Sequence, residues 1–144
     1  MLGLVLFTHS RLAAAFLDAV EMVVGKQEHI AVVAVDAGVP PAEIEASLDR
    51  AIDLAGRGGQ SVVVMTDLFG GSPANLSLAR LVPGRVEVVS GLNLAMLLKA
   101  VDLRRRGLQD PTALARAVVR EGRENITMAS DLLHESPGPE EESA

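Results

Sequence analysis

Residues 2–25 read LGLVLFTHSRLAAAFLDAVEMVVG, and this stretch decides the fold. It opens with a near-continuous apolar run, Leu2–Phe7, which is typical of a parallel strand covered on both faces. Three polar residues, 8–10, follow, and then Arg11–Val24 has the apolar spacing of a helix. Gly25 is a suitable C-cap for that helix. The stretch therefore predicts a strand, a short polar turn and a helix.

The same alternation continues along the chain. Three further apolar runs predict strands at Ile30–Val35, Ser61–Thr66 and Val86–Ser90. Helices are predicted at Pro41–Ala55, Pro73–Leu81, Leu94–Leu103 and Asp110–Arg120. Strands that alternate with helices indicate an α/β fold, here an open, doubly wound, mainly parallel four-stranded sheet with helices on both faces. The pattern of Asn125–Leu133 fits either a strand or a helix.

The length of 144 residues fits one domain, which we assign to residues 1–134. Residues 135–144, ESPGPEEESA, are rich in Pro and Glu and predict a disordered acidic tail. The N-terminus lacks the basic leading region of a signal peptide, and no apolar run is long enough to span a bilayer, so we expect no direct membrane insertion. The chain contains no Cys, which is compatible with the cytoplasmic location that we expect.

The charge and the aromatic content exclude several functions. The formal net charge is −6, and the chain has no Trp, no Tyr and three Phe. Nucleic-acid binding needs a basic stripe and stacking aromatic residues, so we expect no nucleic-acid partner. There is no P-loop, and Asp67 has no acidic neighbour at ligand spacing, so we expect neither a nucleotide cofactor nor a metal.

Polar residues end two of the predicted strands. The first strand is followed by Thr8-His9-Ser10 and the third by residues 67–73, DLFGGSP. In a flavodoxin-like strand order, these two strands flank the point where the chain order reverses, and ligands bind beyond their carboxyl ends. His9 can act as a nucleophile through one ring nitrogen. Asp67 can accept a hydrogen bond from the other nitrogen, which fixes the tautomer and stabilises the developing imidazolium.

The other polar residues at this edge suit a phosphoryl group on His9, which would bring about two negative charges near neutral pH. Backbone N–H groups at the helix starts after Ser10 and Ser72 favour such an anion. Gly70 and Gly71 allow close backbone approach, and Ser72 offers a hydroxyl. Each residue also has an ordinary explanation as a turn or cap residue. Their convergence on one edge indicates a phosphoryl site.

Three segments together resemble a known family. They are Gly3–Gly25, Thr66–Asn75 (TDLFGGSPAN) and Ser90–Leu97 (SGLNLAML). Over about residues 1–130 the chain resembles the IIA domain of the mannose family of bacterial sugar phosphotransferase systems. The resemblance implies that His9 accepts phosphate from the phosphocarrier HPr and passes it to a IIB protein, a phosphotransferase role with a phosphohistidine intermediate.

The resemblance further implies that Asp67 orients His9 and that Ser72 helps to hold the phosphate. It also implies a homodimer that exchanges a C-terminal strand. Asn125–Leu133 is then a possible swapped antiparallel strand.

Two departures from the family keep a second function open. Many relatives carry a fused IIB domain after the IIA domain, whereas this sequence ends in the acidic tail, so the IIB acceptor is expected to be a separate protein. Ser10 and Arg11 differ from the residue pair of sugar-transport members, which favours a regulatory role. In that alternative, phosphorylation of His9 controls docking on a target protein without relay.

Three other classes fit less well. A dihydroxyacetone kinase subunit also has a His after its first strand, but the GGSPAN block argues against it. A histidine phosphatase needs an Arg-His-Gly motif, which is absent here. A flavodoxin-like ligand-binding domain without chemistry stays as the simplest alternative.

The remaining polar residues have structural interpretations. His29 is expected to be a solvated turn residue and His134 to be inert, and Arg104–Arg106 is expected to form a solvated helix end. Asn93 is placed to cap the fourth helix.

Overall fold

The computed structural model describes residues 1–135, so the predicted acidic tail lies outside the described residues from residue 136 onward. The strands are β1 (Gly3–His9), β2 (Ile30–Val35), β3 (Val62–Thr66) and β4 (Val86–Ser90). The helices are α1 (Leu12–Val24), α2 (Pro41–Ala55), α3 (Ser72–Leu78), α4 (Leu94–Arg105), α5 (Pro111–Glu124) and α6 (Ala129–Glu135). A short 3-10 turn, Arg57–Gly59, precedes β3.

The four strands form one parallel sheet in the order β2-β1-β3-β4. This order confirms the predicted α/β fold and places the reversal of chain order between β1 and β3. The register pairs Phe7 with Thr66 and His9 with Val35. The carboxyl ends of β1, β2 and β3 therefore lie together at one edge of the sheet.

Two hydrophobic cores explain why residues 2–7 form an unbroken apolar run. Leu2, Leu4 and Leu6 face the core beneath α1, α4 and α5. Val5 and Phe7 face the core beneath α2. All five side chains are buried, because both faces of the sheet are covered.

Gly3 lets helix α2 approach the start of β1. A Cβ atom at Gly3 would lie 2.4 Å from the carbonyl oxygen of Ala55, the last residue of α2. The Ala55 carbonyl belongs to the backbone of α2, so it can move away only if the helix itself shifts. The close packing of α2 on the sheet therefore depends on a glycine at this position.

The expectation that Arg104 is solvated is wrong. Helix α4 continues through Arg105, and the Arg104 side chain points inward with only 4% of it exposed. Its guanidinium donates to the carbonyls of Leu2, Glu28 and His29 and to the side chain of Gln27. Burial, with a smaller contribution from Arg105, lowers the pKa of Arg104 to about 10, so the side chain is still a cation at neutral pH. It ties α4 to the amino ends of β1 and β2.

His29 is also less solvated than expected. Its φ is 57°, in the left-handed region, and its side chain is partly buried. Its carbonyl accepts from the backbone N–H of Leu4 and from Arg104. Within the described residues, the buried Nδ1 atom has no hydrogen-bond partner. The left-handed turn at His29 thus presents its carbonyl to two donors.

The possible swapped antiparallel strand is absent from this single chain. Residues 129–133 of the predicted segment belong to helix α6 instead. A strand needs a partner edge for its backbone hydrogen bonds, whereas a helix satisfies them within its own segment, so the helix is the favoured form of an isolated copy. None of the helices described is long and apolar enough to cross a bilayer.

Candidate functional site

The turn after β1 is fixed by a buried threonine and a strained serine. The Thr8 hydroxyl accepts from the backbone N–H of Ala13 at 2.7 Å, which anchors the start of α1. Ser10 has a φ of 52°, a left-handed conformation that L-residues rarely adopt and that is common at functional sites. The Ser10 backbone N–H donates to the Val35 carbonyl at 2.9 Å. The chain therefore reverses sharply after His9, at the carboxyl edge of the sheet.

His9 and Asp67 form a directly hydrogen-bonded pair across this edge. His9 Nδ1 lies 3.0 Å from Asp67 Oδ2 and 3.2 Å from Oδ1. The His9 backbone N–H also donates to Oδ2 at 3.0 Å. The Asp67 side chain is 11% exposed and the His9 side chain 46%. Asp67 is thus partly buried and accepts two hydrogen bonds from His9, whose side chain is the more accessible of the two.

This geometry fixes the tautomer of His9. An ionised carboxylate only accepts hydrogen bonds, so Nδ1 carries the proton in the neutral ring. The lone pair then lies on Nε2. The arrangement makes Nε2 available as a nucleophile, and the carboxylate can stabilise positive charge that develops on the ring.

The loop from β3 to α3 packs against the imidazole. Gly70 has a φ of 85° and shapes the turn, and the Asn75 side chain donates to its carbonyl at 3.4 Å. A Cβ atom at Gly71 would lie 2.9 Å from His9 Cε1 and 3.5 Å from Nε2. Only a glycine leaves the His9 ring in this position without a shift, because the backbone of residue 71 lies directly beside it.

Helix α3 begins one residue earlier than the sequence predicts. Gly71 occupies the N-cap position, and Ser72 is the first helical residue, without a capping hydrogen bond from its side chain. Ser72 is exposed. Its hydroxyl therefore has no structural role in starting the helix and is open to a ligand.

The structure brings most of the predicted site residues together. His9 and Asp67 are in contact, Gly71 lies against the His9 ring, Gly70 belongs to the same loop, and Ser72 is the first residue of α3. Ser10 follows His9 directly, but its backbone N–H is bonded to Val35 and is not free for an anion.

Sequence reasoning missed three contributions to this edge. Thr8 anchors helix α1, and Asn75 supports the glycine loop. Leu68 and Phe69 are 58% and 79% exposed, although both are large apolar residues. Leu68 and Phe69 lie in the predicted turn between a buried strand and a helix, and this position could have predicted that they are exposed.

Comparison with known proteins gives a consistent result. The family model EIIA-man, described as the PTS system fructose IIA component, matches residues 3–130, which include His9 and Asp67. No curated protein sequence matches the chain.

Several solved structures have the same fold. The phosphotransferase system component EIIA from Streptococcus agalactiae has a TM-score of 0.80 and 28% identity, and the match covers 91% of this chain and 99% of that one. The mannose/sorbose-specific IIA subunit of the phosphotransferase system from Enterococcus faecalis has a TM-score of 0.77 and 29% identity, with 88% and 92% covered. The PTS IIA protein associated with the fucose utilization operon from Streptococcus pneumoniae has a TM-score of 0.79 and 25% identity, with 92% and 96% covered.

Proposed function

Since the chain belongs to the EIIA-man family of phosphotransferase-system IIA components, we propose that His9 accepts a phosphoryl group from HPr and passes it to a separate IIB protein. The observation that carries this proposal is the hydrogen-bonded pair of His9 and Asp67. Asp67 holds Nδ1 at 3.0 Å, which in the neutral ring places the lone pair on the other nitrogen of an accessible side chain.

The proposed transfer is a nucleophilic displacement at phosphorus. The Nε2 lone pair of His9 forms a bond to phosphorus, while the bond between phosphorus and the donor atom of HPr breaks and its electron pair leaves with that donor atom. The His9 ring keeps its Nδ1 proton and becomes a phosphorylated imidazolium, which the Asp67 carboxylate stabilises. Transfer to the IIB protein reverses these bond changes, with the IIB nucleophile in the attacking position.

The loop from β3 to α3 is proposed to hold the phosphoryl oxygens. Gly70 and Gly71 bring the backbone close to the His9 ring, and Ser72 contributes an exposed hydroxyl. The N–H groups in the first turn of α3 have no acceptor inside the helix and favour an anion. Ser10 is proposed to contribute through its side chain, because its N–H is already bonded.

Two exposed apolar residues support direct contact with protein partners. Leu68 and Phe69 lie in the same loop as Gly71, whose backbone packs against the His9 ring. Large exposed apolar side chains at a functional edge are typical of protein docking sites. We place the exchange with HPr and IIB in the cytoplasm.

A homodimer is the second part of the proposal, and the C-terminal segment supports it. Ile126, Met128 and Leu133 are large apolar residues that are 77%, 60% and 77% exposed in the single chain. Burial against a second copy would remove this surface from water.

The β4 edge, one of the two edges of the sheet, offers a place for that segment. Strand β4 lies at the edge, and a groove of about 550 Å³ between β4 and α5 is lined in part by Val88, Ala115 and Val119. We expect the 125–133 segment of the second copy to add to this edge as an antiparallel strand. Light scattering would test the dimer, and replacing both Ile126 and Met128 by Ser is expected to give a monomer.

Phosphorylation of His9 is tested with phosphoenolpyruvate, enzyme I and HPr, followed by intact mass. Wild type is expected to gain one acid-labile phosphate, and His9→Gln is expected to gain none. His134→Gln is the matched control, because His134 is an exposed histidine in α6. Absence of phosphate on wild type with HPr from several sources would contradict the proposal.

The alternative is a regulatory module that docks on a target protein when His9 is phosphorylated but relays nothing. The Ser10-Arg11 pair favours this alternative, since it differs from the sugar-transport members of the family. Mixing the phosphorylated protein with IIB proteins separates the two: loss of phosphate from His9 with gain on IIB supports relay, and retention supports regulation.

A further inference from the structure

Phosphorylation of His9 would create an excess of negative charge that the residues in contact with His9 do not neutralise. The phosphoryl group would bring about two negative charges, and Asp67 already adds a third beside the ring. The imidazolium supplies one positive charge. Within residues 1–135, the only ion pair that involves His9 or Asp67 is the one between them, so no basic side chain contacts the pair.

Arg11 is the basic residue placed to restore the balance. The left-handed turn at Ser10 reverses the chain between His9 and Arg11, so Arg11 stays at the carboxyl edge of the sheet. The Cα atoms of His9 and Arg11 can be at most about 7 Å apart, because two peptide links separate them. Arg11 is the N-cap residue of α1, and the helix start adds its own positive potential.

The Arg11 side chain is also uncommitted. It is exposed, and in the described part of the chain it makes no ion pair and no side-chain hydrogen bond. By contrast, Arg80 binds Asp49 and Glu45, and Arg104 is buried among carbonyls. A free guanidinium two residues from a phosphoryl acceptor is well suited to a bidentate phosphate contact.

We propose that the Arg11 guanidinium binds the phosphoryl group on His9 and stabilises the phosphorylated state. This inference rests on the proposed phosphorylation of His9. Its consequence is regulatory: Arg11 shifts the equilibrium with HPr toward phosphorylated protein, so the phosphorylated form persists at a lower supply of phosphorylated HPr. Arg11 acts as a positioning and charge-balancing residue and takes no part in bond making.

The test compares Arg11→Gln and Arg11→Lys with wild type. Arg57→Gln is the matched control, since Arg57 is exposed and lies in the 3-10 turn at the opposite end of the sheet. Each protein is equilibrated with mixtures of phosphorylated and free HPr, and intact mass gives the equilibrium constant. Arg11→Gln is expected to lower it about fivefold, the upper range for an exposed charge pair, with partial recovery in Arg11→Lys.

A spectroscopic readout separates a direct contact from a structural effect. A nearby cation favours the dianion, so the second ionisation of the phosphoryl group, followed by ³¹P NMR, is expected to move to higher pH in Arg11→Gln. High salt is expected to reduce the difference between the variants. Equal equilibrium constants and equal ³¹P titrations for wild type and Arg11→Gln would overturn the inference.

A further experiment distinguishes failure of the Arg11 contact from failure of HPr to phosphorylate the protein. If HPr does not label wild type, His9 is phosphorylated chemically with phosphoramidate, and the same ³¹P titration is compared between wild type and Arg11→Gln. A difference there supports the Arg11 contact even without relay. Equal titrations, or no phosphorylation of His9 by either route, would refute the contact.

Discussion

Replacing Gly71 by Ala is expected to damage the chemistry of His9 and leave the fold intact. The backbone of Gly71 is extended, with φ −80° and ψ 172°, and alanine adopts that conformation without strain. The added Cβ would lie 2.9 Å from His9 Cε1, whereas ordinary contacts begin at 3.4 Å. The ring must therefore retreat by about 0.5 Å, and its bonds to Asp67 lengthen or bend.

The size of the effect follows from this displacement. A misplacement of about 1 Å in a reacting group typically costs 100-fold in rate, so we expect phosphorylation of His9 to slow about 10- to 100-fold. Stability changes little, because two effects oppose each other. Removing a glycine restricts the unfolded chain and contributes about 0.4–1 kcal/mol. Weakening the hydrogen bonds between His9 and Asp67 costs about 1 kcal/mol.

The assay measures the rate of HPr-dependent phosphorylation by intact mass, together with a thermal melt. Gly3→Ala is the reciprocal control, since its Cβ would lie 2.4 Å from the Ala55 carbonyl in the buried core. It is expected to lose about 2–3 kcal/mol of stability, while its folded molecules are phosphorylated at the normal rate. A wild-type rate in Gly71→Ala would show that the His9 ring is not positioned by the glycine loop.

Three further predictions concern the other charged contacts. Asp67→Asn removes the charge that stabilises the His9 imidazolium and weakens two hydrogen bonds from His9, so it is expected to slow phosphorylation by about 100- to 1,000-fold while costing only about 1 kcal/mol of stability; rapid-quench kinetics that match wild type would refute this. Arg104→Met leaves several buried carbonyls without their donor and is expected to cost about 2–4 kcal/mol in urea unfolding; a loss below about 1 kcal/mol would mean that water replaces the guanidinium. The hydrogen bond from Arg80 lowers the pKa of Asp49 from its usual value of 3.8. The pair therefore stabilises the fold fully above pH 3.8, and this contribution is lost as the pH falls through the lowered pKa of Asp49. Arg80→Gln should therefore cost up to about 1 kcal/mol at pH 7 and less once the pH falls below the lowered pKa of Asp49, and a cost that does not shrink in acid would contradict the ion pair.

The strands were predictable from sequence because local composition carries the signal. Ile30–Val35 and Val86–Ser90 are predicted and observed with the same bounds, and Leu2–Phe7 differs from β1 by one residue at its start and two at its end. Runs rich in Val and Leu can bury both faces only within a covered sheet. Helix ends were less predictable: α4 extends to Arg105 because the buried Arg104 binds carbonyls that lie far away in sequence.

The candidate site was predictable in its residues but not in its geometry. The positions of His9 and Asp67 after neighbouring parallel strands predict that they lie at one edge. Sequence does not predict that the Asp67 carboxylate receives both the ring and the backbone N–H of His9, or that Gly71 lies against the ring. These contacts join residues that are nearly 60 positions apart in sequence, and they depend on the conformations of the loops that carry those residues.

The sequence by itself determined the alternation of elements, the parallel sheet and the two polar clusters at its carboxyl edge, because apolar periodicity and turn residues act locally. Only the tertiary structure decided which nitrogen of His9 is free, which glycine lies against the ring and which arginine is buried. Those outcomes depend on distances between segments that meet only after packing. The state of Asn125–Leu133 belongs to the same group, since a strand there needs an edge to pair with, and in the isolated chain residues 129–133 are helical instead.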